Sequence, residues 1–179
     1  GLSVRTTLDP RLQRIADKSL RQGLIDYDRR HGWRGPVAHI KLGENWVAQL
    51  QEVSPPVGSG TWSLAVVLEV GEAQAEIGFS NSAHGRIPLA EMRWARKSLE
   101  EQKVGPSVKR VADVLAAGDV VLVEAVTRST AEDAKASEYP QGTYALRQIP
   151  AVSGAIVALD PHTGRVLAMT GGYDHEMSE

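Results

Sequence analysis

Between residues 12 and 27, apolar side chains return every three or four positions, at Leu12, Ala16, Leu20, Leu24 and Tyr27, while Arg11, Arg14, Lys18 and Arg21 lie off that stripe. This is the period of a helix that buries one side. Asp9 offers a side-chain cap and Pro10 suits the first helical position, so the helix is expected to begin there; Gly32 and the Gly35-Pro36 pair end it. Ahead of it, residues 4–8 (Val-Arg-Thr-Thr-Leu) are β-branched and extended in character. A second, short helix is expected over residues 44–53, with Trp46, Val47 and Leu50 on one side.

Residues 54–60 (Ser-Pro-Pro-Val-Gly-Ser-Gly) forbid a regular element and are read as a boundary. Beyond them the period becomes that of strands, over residues 62–70, 73–79, 85–89, 119–126 and 144–149. Five short strands, with a helical or irregular stretch over 90–117, suggest a small Greek-key barrel of the OB type. The polar connection 127–142 is either a disordered excursion or an interaction loop. Residues 153–159 and 165–170 flank a turn at 160–164 and form a hairpin, and their apolar runs are expected to be buried on both faces. The fold class is mainly β with α: an N-terminal strand–helix and linker over 1–60, a five-stranded OB-like barrel over 61–149, and a hairpin over 150–179.

Composition narrows the function classes. With no cysteine there are no disulfides or thiolate metal sites, and redox compartment is not legible. No window approaches the roughly 18 apolar residues of a membrane span, and Gly1 to Arg5 carry no signal-peptide pattern. The chain is therefore expected to be part of a longer polypeptide. Net charge is −2 overall; over residues 1–36 eight Lys+Arg against four Asp+Glu give +4, read as the solvated face of an amphipathic helix, with a face for an acidic partner as the alternative.

Acyl transfer by an activated serine needs Ser-x-x-Lys on a helix, a Ser-x-Asn loop and a Lys-Thr/Ser-Gly strand, which together set a hydroxyl beside an amine. None occurs. The residues three before each lysine are Ile15, Ala38, Trp94, Glu100, Pro106 and Glu132, and no Gly-x-Ser-x-Gly elbow is present. Carboxylate pairs such as Asp26 with Asp28, or Glu132 with Asp133, read as solvated, and His31, His39, His84, His162 and His175 never fall at helical metal-pair spacing. No catalytic residue, cofactor or metal site is assigned. A nucleic-acid face would need a basic groove with stacking aromatics, yet residues 62–149 hold ten Lys+Arg against twelve Asp+Glu, a balance of −2. The one basic, aromatic cluster, Arg93, Trp94, Arg96 and Lys97, is the candidate interaction surface, or else a tryptophan anchored among solvated charges.

Two stretches resemble a known family. Residues 4–13 (Val-Arg-Thr-Thr-Leu-Asp-Pro-Arg-Leu-Gln), followed by Tyr27-Asp28-Arg29-Arg30-His31-Gly32-Trp33-Arg34-Gly35-Pro36, are similar to the junction after the glycosyltransferase domain of class A penicillin-binding proteins. Residues 152–161 (Val-Ser-Gly-Ala-Ile-Val-Ala-Leu-Asp-Pro), with Thr163 to Met169 and Gly171-Gly172-Tyr173, resemble the hairpin that begins their transpeptidase sheet. The part between, with Ile87-Pro88-Leu89, Met92-Arg93-Trp94-Ala95-Arg96 and Gly118-Asp119-Val120-Val121, looks like the OB-like insert of the 1A branch.

This resemblance implies a non-catalytic insert in a bifunctional peptidoglycan synthase, periplasmic, with the parent anchored in the inner membrane. The family's catalytic motifs are missing here, so no site carries over. It leaves two roles open: an interaction module for a regulatory protein or peptidoglycan, and a spacer between two active sites. A binding module for another polymer and an unrelated small enzyme are the alternatives. No nucleic acid, cofactor or membrane contact is expected of this piece.

Overall fold

The computed structural model describes residues 5–130 and 138–173. In chain order the elements are α1 (Pro10–Arg30), β1 (Ala38–His39), α2 (Trp46–Glu52), β2 (Ser63–Val70), β3 (Gln74–Gly78), β4 (His84–Pro88), β5 (Asp119–Ala125), β6 (Tyr144–Arg147), β7 (Ala155–Leu159) and β8 (Val166–Gly171). Short 3-10 turns lie at Leu89–Met92, Glu100–Gln102 and Val111–Asp113. The chain forms two compact units: Gly1–Asp28 with Ile149–Glu179, and Arg29–Gln148.

In the first unit α1 begins where its cap predicts. The Asp9 carboxylate accepts from the N–H groups of Arg11 (2.8 Å) and Leu12 (3.2 Å), which have no partner inside the helix. Ala16, Leu20 and Leu24 of the apolar stripe are buried. The expected strand over residues 4–8 does not form across its described part, residues 5–8. Among the described residues Thr7 Oγ1 donates to Val166 O (2.6 Å) and Asp9 N, just after the segment, to Leu167 O (2.8 Å), and Pro10, which has no N–H, ends any ladder there. Gln13 then extends the edge of β8: its side-chain amide donates to Met169 O (2.9 Å) and accepts from Met169 N (3.1 Å).

β7 and β8 pair antiparallel from Ala155↔Gly171 to Leu159↔Val166. The turn forms at 160–164, with Gly164 at φ +69° and Asp160 accepting from the N–H groups of His162 and Thr163. Burial of this hairpin on both faces is not observed: Val157, Leu159 and Met169 are 53%, 57% and 61% exposed. Their neighbours alternate, Ala168 being buried, so the hairpin has one covered and one open face.

The second unit holds β1 to β6. Antiparallel pairing runs β5–β2–β3–β4, and β6 joins β5 on the other side. β4 and β6 then meet through a parallel bridge, Arg86 with Thr143, where Arg86 N donates to Gly142 O (2.9 Å). Five strands in this order, closed by a short parallel contact, are the OB arrangement. Gly85 permits the closure, because a Cβ there would stand 2.6 Å from the Tyr144 ring.

Inside lies one core, with Ala65 and Val67 from β2, Ala75 and Ile77 from β3, Ile87, Val121, Val123 and Leu146. A second core lies outside, where Val66 and Val120 turn to Ile40 and to Leu50 of α2. β2 and β5 are thus the strands buried on both faces, which explains their unbroken apolar runs. The boundary expected at 54–60 falls within this unit. Residues 29–60 belong to it because β1 pairs with β5, Ala38↔Val120 and His39↔Asp119, and α2 packs on the outer core.

Candidate interaction site

The segment after β4 carries the candidate residues. Ile87 through Met92 run from the strand into the Leu89–Met92 turn, and the chain then follows Trp33 as a neighbour. Trp33 N donates to Arg96 O (2.6 Å) and Ser98 N to Trp33 O (2.9 Å). This close approach needs Gly32, whose φ is +89° and whose Cβ, if present, would lie 2.5 Å from Arg96 O.

The four sequence-predicted residues divide into two pairs. Trp94 is half-buried: its ring meets Trp33 edge-on at 5.9 Å, and the Arg29 guanidinium lies over it at 5.0 Å. Its Nε1 is buried with no acceptor among the described residues, so packing holds the ring. Arg96 turns its Nε onto Gly105 O (2.7 Å). Arg93 and Lys97 are exposed. The cluster is therefore half scaffold and half surface charge.

Beside it opens a cleft of about 480 Å³, whose walls include Trp33, Pro36, Ala95, Lys97, Ser98 and Val114. Asp113 stands at its rim, accepting from Lys109 N (3.0 Å), Arg110 N (2.9 Å) and the Arg110 guanidinium (3.2 Å). These backbone donors, Lys109 first, hold its carboxyl below the ordinary 3.8. Trp33 and Val114 are distant in sequence from Lys97, and no local pattern announced the cleft.

Sequence reading also passed over Glu91. It is 1% exposed yet accepts hydrogen bonds from Ser129 Oγ (3.0 Å), Thr130 N (3.0 Å), Thr130 Oγ1 and Tyr139 OH (3.1 Å). Burial first, and then the Glu91 charge, raise the Tyr139 phenol above its ordinary 10.0, keeping it a donor. A lone glutamate in an apolar run (Ile87-Pro88-Leu89-Ala90-Glu91-Met92) was the available signal. Of the 127–142 connection, the described parts form a stem: Val126 N donates to Thr143 O (3.0 Å), Tyr139 N to Thr127 O (2.8 Å), and Arg128 faces Glu138. Its residues 131–137 lie outside the described part.

Among the described residues no group of three or more His, Asp or Glu is placed to hold a metal, and no helix is long and apolar enough to cross a membrane.

Comparisons with known proteins agree with this geometry. A family described as the penicillin-binding protein OB-like domain matches residues 33–152. The chain is 40% identical over 179 residues to penicillin-binding protein 1A of Rickettsia typhi, covering all of this chain and 20% of that protein. It is 33% identical over 178 residues to the protein of that name from Pseudomonas aeruginosa, covering 99% of this chain and 20% of the relative. In fold it is similar to the crystal structure of penicillin-binding protein 1A from Haemophilus influenzae, with a TM-score of 0.56 at 23% identity, over 97% of this chain and 22% of the other. The chain thus spans about a fifth of the length of the curated relatives it matches. With an OB-ordered barrel over Arg29–Gln148 and a family match laid almost upon it, the chain belongs to the penicillin-binding protein OB-like domain family.

Proposed function

We propose that this chain is a non-catalytic interaction domain of a bifunctional peptidoglycan synthase, a periplasmic enzyme anchored in the inner membrane that polymerises lipid-linked disaccharide and cross-links stem peptides through an acyl-serine. The observation that carries it is the coincidence of the matched residues 33–152 with the barrel unit Arg29–Gln148. That barrel presents a cleft, two outward cations at Arg93 and Lys97, and a stemmed connection between β5 and β6, the kind of loop that flanks the binding face of OB folds. The partner would be a regulatory protein or peptidoglycan itself.

A second reading, a spacer between two active sites, is supported by Gln148. Its side-chain amide donates to Gly32 O (3.0 Å) and accepts from Arg34 N (2.8 Å), tying the unit's first residues to its last.

One experiment separates the two. In the full-length synthase, residues 33–147 are replaced by a short flexible linker, and both polymerisation and cross-linking are assayed with purified lipid-linked substrate. An interaction domain predicts that the two activities and their coupling persist in the purified enzyme, while binding of isolated glycan strands or of purified regulators is lost. Uncoupling of the two activities without any loss of binding would favour the spacer. Covalent labelling of the 179-residue chain by a fluorescent penicillin would overturn both.

A further inference from the structure

The Glu91 carboxylate is a buried polar feature of the barrel that the proposed function does not use. Among the described residues its four side-chain hydrogen bonds come from Ser129, Thr130 and Tyr139, all in the stem of the β5–β6 connection. Glu91 itself sits some 40 residues earlier, on the turn that closes β4. Among the described residues no lysine or arginine pairs with it. An ionised carboxylate at 1% exposure is costly unless its lone pairs are met, and here neutral donors of one segment meet them. The dependence runs both ways: the stem has a carboxylate anchor, and among the described residues the anchor's side-chain partners all belong to the stem.

We propose that Glu91 is a latch that fastens the stem of the β5–β6 connection, residues 127–130 and 138–143, to the end of β4, so that the stem is held ready-formed on the barrel. The backbone pairs of the stem alone, Tyr139 N to Thr127 O and Val126 N to Thr143 O, make a two-stranded ribbon of the kind that is marginal in water. Arg86 N, donating to Gly142 O, fixes the ribbon at its base, and Glu91 supplies a second fixed point farther along, at Ser129, Thr130 and Tyr139. A segment fastened beforehand loses less freedom when something binds it. The inference stands whichever partner, if any, the barrel engages.

The test uses the 179-residue chain and residue-resolved amide hydrogen exchange. Glu91→Ala is expected to speed exchange at Thr130 and Tyr139 about tenfold or more, the scale of losing a charge-assisted hydrogen bond, while amides of β2 and β5 keep wild-type rates. Glu91→Gln, which keeps one acceptor and loses the charge, is expected to fall between. Should Glu91→Ala fail to fold, Tyr139→Phe and Ser129→Ala approach the latch from the stem and are expected to speed the same two amides. Unchanged exchange at Thr130 and Tyr139 in the folded variants would overturn the latch. Equal loss of protection in stem and barrel would overturn it too, showing Glu91 to be a core residue.

Discussion

Gly32 has room for nothing larger. At φ +89°, with Arg96 O 2.5 Å from where a Cβ would sit, Gly32→Ala strains the backbone and forces apart the contact that positions Trp33. A loss of about 1–3 kcal/mol in the second unit is expected, read as a lower denaturant midpoint with unchanged slope. Three carboxylates give a second residue-scale prediction. Asp9, Asp113 and Asp160 each accept two backbone N–H groups, which lower their titration below 3.8. Because the folded value is the depressed one, their contribution is whole above about pH 3.8 and disappears as pH falls through the lower folded values. Carboxyl NMR titrations should place all three midpoints below 3.8, and Asn replacements should flatten the acid limb of the stability curve. Asp9 was legible in sequence, since Asp-Pro before an apolar stripe states its own role. Glu91 was not: its donors lie 38 to 48 residues away, and only the closed barrel brings them together.

The strands were readable as elements because their apolar runs sit between turn residues, and the five expected over 62–149 form at nearly the expected places. Their surroundings were less legible. An unbroken apolar run says that both faces avoid water but not what covers them. In β2 and β5 the covers are the barrel interior and the α2 layer; in β7 and β8 similar runs leave Val157, Leu159 and Met169 exposed. The proline-glycine stretch at 54–60 misled as a boundary because composition marks irregular backbone and not the limits of a core. Within α2 the fully buried side chain is Leu50, 2% exposed among Ile40, Val66 and Val120, with Trp46 packed partly buried beside it. Leu50→Ala is expected to cost about 2–5 kcal/mol in chemical denaturation, through the cavity it leaves beneath the helix.

For the whole molecule, the second unit interrupts the first: the chain leaves after Asp28 and returns at Ile149. Autonomy follows, since the barrel has its own interior core and an outer one built from residues 38–68 and 120. Residues 29–148 expressed alone should therefore melt in one cooperative transition, with near-ultraviolet circular dichroism matching the barrel's share of the intact chain. Separate, broad melting of that piece would show that its stability is borrowed.

The Gln148 amide fixes how far apart the two ends of the barrel unit stand, through Gly32 and Arg34 of its first segment. Whatever lengthens or reshapes the polypeptide between those points leaves that separation as it was. Substitutions inside the barrel that spare this amide are thereby kept from altering the spacing of its two ends.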